Sequence, residues 1–186
     1  FDSQDEIDRL FPINDRTNTG DNNLSSVTFD NGRLRITNNH ISGTDSNVQI
    51  RSRGGFSISG DFDVSIDFIY DDKRSTPWTS SGTDRARFSV LTSSGVTANV
   101  LYEEWFDGSN NRNRVRLFLH GTGGAEQELG GTQPNSVRMR VTREGNKWRA
   151  YYGLNGADAT NLLGQDTGPE DDCWVRISNT IRAEYT

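Results

Sequence analysis

Apolar and polar residues alternate through most of this chain, and that alternation constrains its fold more than any other feature. A period of two sends successive side chains to opposite faces of an extended strand, whereas a helix needs a period near 3.6. The pattern runs near Val27–Phe29, Arg33–Thr37, Asn47–Arg53, Phe62–Tyr70, Arg85–Thr92, Thr97–Phe106, Arg114–His120, Ser136–Arg143, Lys147–Leu154 and Cys173–Asn179. Turn residues separate these segments, among them Asp30-Asn31-Gly32, Ser59-Gly60-Asp61, Asp107-Gly108-Ser109, Glu144-Gly145-Asn146 and Asn155-Gly156. Only Asp2–Phe11 has helical spacing, through Ile7, Leu10 and Phe11, and it fits an edge strand and a turn equally well. Short strands with so little helix predict an all-β fold, a two-sheet antiparallel β-sandwich or jelly roll.

The length of 186 residues suits one domain, 1–186. With no Met at its start and no basic-plus-apolar leader, the chain is expected to be processed or excised from a longer secreted chain. No apolar run reaches the roughly 18 residues that a membrane helix needs, so no membrane insertion is expected. Acids outnumber bases 26 to 20, for a net charge of -6, and duplex nucleic acid is not an expected partner, because phosphates call for a basic footprint. All but two of the bases are Arg, the exceptions being Lys73 and Lys147, and Arg is the side chain that grips carboxylate or sulfate with two parallel hydrogen bonds. Cys173 is the one cysteine, so no internal disulfide forms.

The stretch Val48–Arg53 followed by Phe56–Phe68, the late hairpin Val137–Tyr152 and the opening Phe29–Ile36 resemble the corresponding parts of bacterial concanavalin A-like (laminin-G-like) jelly rolls. The motifs are loose and speak to fold, not activity. The resemblance implies carbohydrate binding or cleavage on a concave sheet, a secreted or cell-surface location, and in many members a structural calcium at the rim. Asp30, the Gly32 carbonyl and Asp172 are the expected oxygen ligands for such a calcium ion.

Residues i and i+2 of a strand share a face, which makes the Arg spacing informative. Arg33 and Arg35, Arg51 and Arg53, Arg85 and Arg87, Arg114 and Arg116, and Arg138 and Arg140 each share one, with apolar residues on the other face. If the outward guanidiniums converge on a hollow face, they suit an acidic polysaccharide; if not, they are solvated partners of the many Asp. In Tyr102–Asp107, Glu103 and Trp105 are expected to point outward together, the Trp to stack on a sugar ring and the carboxylate to accept from its hydroxyls. The expected carbohydrate-binding set is therefore Arg51, Arg87, Glu103, Trp105, Arg116, His120, Arg140 and Tyr151, with the loop residue Trp78 as a further stacking candidate.

A retaining glycosidase needs two carboxyls about 5–5.5 Å apart. The nearest match to the glucanase-type acid-x-acid-x-acid run is Asp61, Asp63 and Asp67, broken at Ser65. Alginate-lyase-like jelly rolls carry a Gln-[Ile/Val]-His triplet, and here Gln49-Ile50-Arg51 replaces the His. If the chain is a lyase, His120 or Tyr151 is the expected base; His40 is the other imidazole. The favoured reading is a non-catalytic carbohydrate-binding module for a glycan, with a polysaccharide lyase or glycoside hydrolase acting on an acidic glycan as the alternative and an adhesin or structural module as the second.

Overall fold

The alternating segments become strands, and their apolar faces close on one another. A computed structural model describes residues 3–12, 16–19, 26–30, 32–38, 45–52, 55–69, 82–93, 95–120, 124–130 and 133–182. Their elements are α1 (Gln4–Leu10), β1 (Arg16–Thr19), β2 (Ser26–Asp30), β3 (Arg33–Thr37), β4 (Ser46–Arg51), β5 (Phe62–Ile69), β6 (Thr83–Thr92), β7 (Gly95–Phe106), β8 (Asn111–Leu119), β9 (Glu126–Gly130), β10 (Ser136–Glu144), β11 (Lys147–Leu154), β12 (Asn161–Thr167) and β13 (Cys173–Arg182). A seven-stranded sheet has the order β1-β4-β13-β6-β7-β8-β9, a four-stranded sheet the order β12-β11-β10-β5, and β2 and β3 form a separate ribbon. Every pairing is antiparallel. The expected two-sheet antiparallel jelly roll is the fold these strands adopt.

The core lies between the sheets. Ile50, Phe88, Val90, Val100, Tyr102, Val115 and Leu117 come from the larger sheet, and Val137, Met139, Val141, Trp148 and Ala150 from the smaller. Each large aliphatic side chain taken fully out of water contributes about 1.5–3 kcal/mol. Cys173 belongs to this core and is fully buried, and burial pushes its thiol up to about 11. It packs as a small hydrophobe and is not poised as a nucleophile.

The helical option for the N-terminal segment is the one realised. The Ser3 hydroxyl caps α1 by accepting from the Glu6 N–H at 3.2 Å, and Asp5 and Glu6 sit in the first turn, where the helix dipole favours acids. Ile7 is fully buried, and Phe11 meets Phe56 edge-on at 6.1 Å. The turn between β10 and β11 has two residues, with Gly145 at φ 55, a conformation that favours glycine. The Gly145 N–H donates to Asp61 Oδ1 at 2.7 Å, so Asp61 closes a turn.

Candidate functional site

Register across the larger sheet turns the Arg spacing into an array. Three of the rows formed by its outward residues hold these Arg. The first runs Arg51, Arg176, Ser89, Asn99, Phe118 across β4, β13, β6, β7 and β8. The second runs Gln49, Ser178, Arg87, Leu101, Arg116, Glu126, and the third Asn47, Thr180, Arg85, Glu103, Arg114, Glu128. Six guanidiniums (Arg51, Arg85, Arg87, Arg114, Arg116, Arg176) thus share these rows with three carboxylates (Glu103, Glu126, Glu128), although the chain as a whole is acidic. The floor of the face is buried at Ser89, Leu101, Glu103 and Ser178, and the Arg residues standing around it are half-buried.

Glu103 is the anchor of one half. It is 1% exposed. Arg85 Nε donates to Oε1, Arg114 donates to Oε2 through Nε at 2.7 Å, with Nη2 at 2.6 Å, and Arg116 Nη1 lies 3.6 Å from the same oxygen. Burial pushes this carboxyl up, but Arg85 and Arg114 outweigh it and hold it below its ordinary range. Glu126 joins the network from the sheet edge, 3.2 Å from Arg114 Nη1 and 3.3 Å from Arg116 Nε. Trp105 points outward beside Glu103 as expected, with the Arg114 guanidinium 4.3 Å from its ring centroid; Arg116 lies 4.9 Å from the Phe118 centroid.

The expected binding residues divide between places. Arg51, Arg87, Glu103, Trp105 and Arg116 lie together on this face. Arg140 and Tyr151 lie on the smaller sheet, across the core. There Arg140 grips Asp63 with two hydrogen bonds of 2.7 and 2.6 Å and stacks over Tyr151 at 5.1 Å, while Arg138 holds Asp67 and Asp158. These are the Asp-neutralised Arg of the alternative expectation, so one hollow face does not gather all the guanidiniums. His120 does not stand beside Arg116. Its backbone turns at φ 49, and its ring meets the buried Trp148 edge-on at 5.7 Å, with Nε2 buried and without a hydrogen-bond partner among the described residues. Burial pushes the imidazole below its ordinary value, and Asp166 opposes this only in part. Trp78, His40 and Arg53 lie outside the described residues.

Exposed pairs of this kind contribute about 0–1 kcal/mol. Asp63→Asn is therefore expected to shift the urea midpoint only slightly; a loss above about 2 kcal/mol would show the Arg140–Asp63 pair to be structural.

A general acid needs a raised carboxyl, and the Arg85 and Arg114 guanidiniums lower that of Glu103, whose same-face neighbours on β7 are Leu101 and Trp105. For the expected calcium ligands, Asp30 pairs with Arg35 at 2.9 Å, and among the described residues no three carboxylate, imidazole or thiol side chains gather. Arg176 was not among the expected site residues. Its signal was present in the alternation Trp174-Val175-Arg176-Ile177-Ser178, but only the register shows that it faces Arg51.

No protein-family model and no curated protein matches the chain. Solved structures do match in fold. They include the β-glucanase of Bacillus licheniformis (12% identity, 88% of this chain and 71% of that one, TM-score 0.45). Others are the carbohydrate-binding module CBM66 of Bacillus subtilis (13%, 91% and 93%, 0.41) and the Emp46p carbohydrate recognition domain in its potassium-bound form (10%, 95% and 88%, 0.47). At 10–13% identity and TM-scores below 0.5, the likeness is one of strand arrangement, and no residue role passes from these proteins to this chain. Among the described residues no helix is long and apolar enough to cross a membrane.

Proposed function

We propose that this chain is a non-catalytic carbohydrate-binding module that holds an acidic polysaccharide on the outer face of its seven-stranded sheet. The supporting observation is the excess of guanidinium over carboxylate on that one face of an otherwise acidic chain. Guanidinium forks pair with the carboxylates or sulfates of such a polymer, and Trp105 and Phe118 supply apolar ring surface beside them. A secreted or cell-surface location goes with this reading.

Affinity electrophoresis in gels containing a sulfated, a uronate or a neutral polymer tests it. The wild-type chain is expected to be retarded by an acidic polymer. Arg116→Ala and Trp105→Ala are each expected to weaken that retardation about tenfold, the equivalent of one charge-assisted hydrogen bond or a stacked ring. Full retention of affinity in both variants would remove these two residues from the site. A rise in absorbance from unsaturated product, on incubation with the uronate polymer, would overturn the non-catalytic part and revive the lyase alternative.

A further inference from the structure

The guanidiniums of the outer face fall into two groups. Arg85, Arg114 and Arg116 converge on Glu103, with Glu126 beside two of them, so that group carries carboxylates of its own. Arg51, Arg87 and Arg176 form the other. Arg51 on β4 and Arg176 on β13 are direct cross-strand partners, and Arg87 on β6 sits one row along, opposite Ser178. Like charges set directly across a ladder repel, and a sheet stabilised for its own sake pairs opposite charges or β-branched residues there.

Arg51 and Arg176 have donors to spare. Among the described residues no carboxylate pairs with Arg51 or Arg176. The Nε atoms of both are buried and have no acceptor among the described residues. Arg176 Nη2 donates to Ser89 Oγ, but at 3.3 Å, and Ser89 itself donates to Asn99 Oδ1 at 3.0 Å. Burial, with Arg87 and Arg51 nearby, pushes the Arg176 guanidinium down to about 10, so its charge is uncomfortable where it stands. A buried N–H with no acceptor is unfavourable, and so is the like-charge pair that Arg51 and Arg176 make across the ladder. A single oxyanion answers both: its oxygens accept from the idle Nε–H groups and its charge offsets the repulsion.

We infer that Arg51, Arg176 and Arg87 form the oxyanion subsite of this face, taking a carboxylate or sulfate ester carried by the bound polysaccharide. The inference rests on the carbohydrate-binding reading and assigns the acidic substituent to one place on the sheet. The Glu103 cluster then serves as a rigid floor beside it.

The test uses the full chain with Arg51→Gln, Arg176→Gln and, as a control on the other sheet, Arg138→Gln. Dextran sulfate, polygalacturonate and neutral dextran are the probes. Wild type and Arg138→Gln are expected to bind an acidic polymer equally, and Arg51→Gln and Arg176→Gln at least tenfold more weakly, with any binding to neutral dextran unchanged. Loss confined to one acidic polymer identifies the substituent as sulfate or carboxylate. Sodium sulfate, compared with chloride at equal ionic strength, is expected to raise the Tm of wild type more than that of Arg176→Gln. The Tm of the ligand-free Gln variants is expected not to fall, because each loses a repulsive charge, which separates weak binding from unfolding. Wild-type affinity for both acidic polymers in both Gln variants would overturn the subsite while leaving the carbohydrate-binding reading in place. No binding of any polymer by wild type would overturn the two together.

Discussion

Glu103→Ala is expected to lower the stability of the fold by about 3–5 kcal/mol. The carboxylate is 1% exposed and lies within ion-pair distance of Arg85, Arg114 and Arg116. Removing it leaves three half-buried guanidiniums facing one another with, among the described residues, only Glu126 at the sheet edge to offset them. Breaking a buried ionic group from one side is costly because the partner charges remain desolvated and uncompensated. A loss of this size is a large part of the 5–15 kcal/mol that typically holds a domain together. Urea denaturation checks it; a loss under about 1 kcal/mol would mean that the three Arg side chains swing out to water, and that the floor of the face is not rigid. The same group gives a pH dependence with a definite sign. Its carboxyl is lowered in the fold from an ordinary 4.5. Its contribution is therefore complete above 4.5 and is lost as the pH falls through the lower folded value. Glu103→Gln is expected to flatten the acid limb of the stability profile.

Trp148→Ala is the second large effect, about 3–5 kcal/mol. Trp148 is fully buried between the sheets and joins four parts of the chain. Its ring meets Phe62 edge-on at 5.4 Å and His120 at 5.7 Å, the Arg143 guanidinium lies 5.5 Å from its centroid, and Nε1 donates to the Pro169 carbonyl at 3.1 Å. Arg143 is itself 2% exposed and donates to the carbonyls of Gly60 and Asp171, the latter at 2.6 Å. Deleting the indole empties the space that orients all of these. Trp148→Phe keeps most of the packing and is expected to cost less, mainly through the Pro169 carbonyl left without its donor. The affinity of folded Trp148→Phe for an acidic polymer is expected to match wild type, since this cluster belongs to the core and to the smaller sheet. Loss of affinity at full stability would place part of the binding surface there.

Strands that bury one face were legible in the sequence, because burial imposes the alternation. The expected segment Arg33–Thr37 coincides with β3, and Lys147–Leu154 with β11. Three strands were not seen: Arg16–Thr19, Glu126–Gly130 and Asn161–Thr167. Each lies at a sheet edge, where only part of the strand is packed and the sequence, as in Arg-Thr-Asn-Thr, need not alternate. The candidate site was legible in part for a related reason. Spacing within a strand shows which Arg residues share a face, so Arg51, Arg87 and Arg116 were placed on the outward faces of their strands. Spacing does not show which sheet a strand joins, so Arg140 and Tyr151 were grouped with residues that lie across the core. His120 keeps the even-numbered register of Arg114 and Arg116, but the strand ends at Leu119, and a positive φ at the next residue turns the ring toward Trp148. Arg176 gains its meaning from Arg51, a partner far away in sequence that only the register supplies.

The most direct test of the binding face is an amide NMR titration of the isotope-labelled chain with a sulfated or uronate oligosaccharide. This account expects shift changes that cluster on β4, β6, β7, β8 and β13, strongest at Arg51, Arg87, Arg116 and Arg176, with Arg138, Arg140 and Tyr151 still. Changes centred on β10 and β11, with the outer face of the larger sheet unmoved, would contradict it.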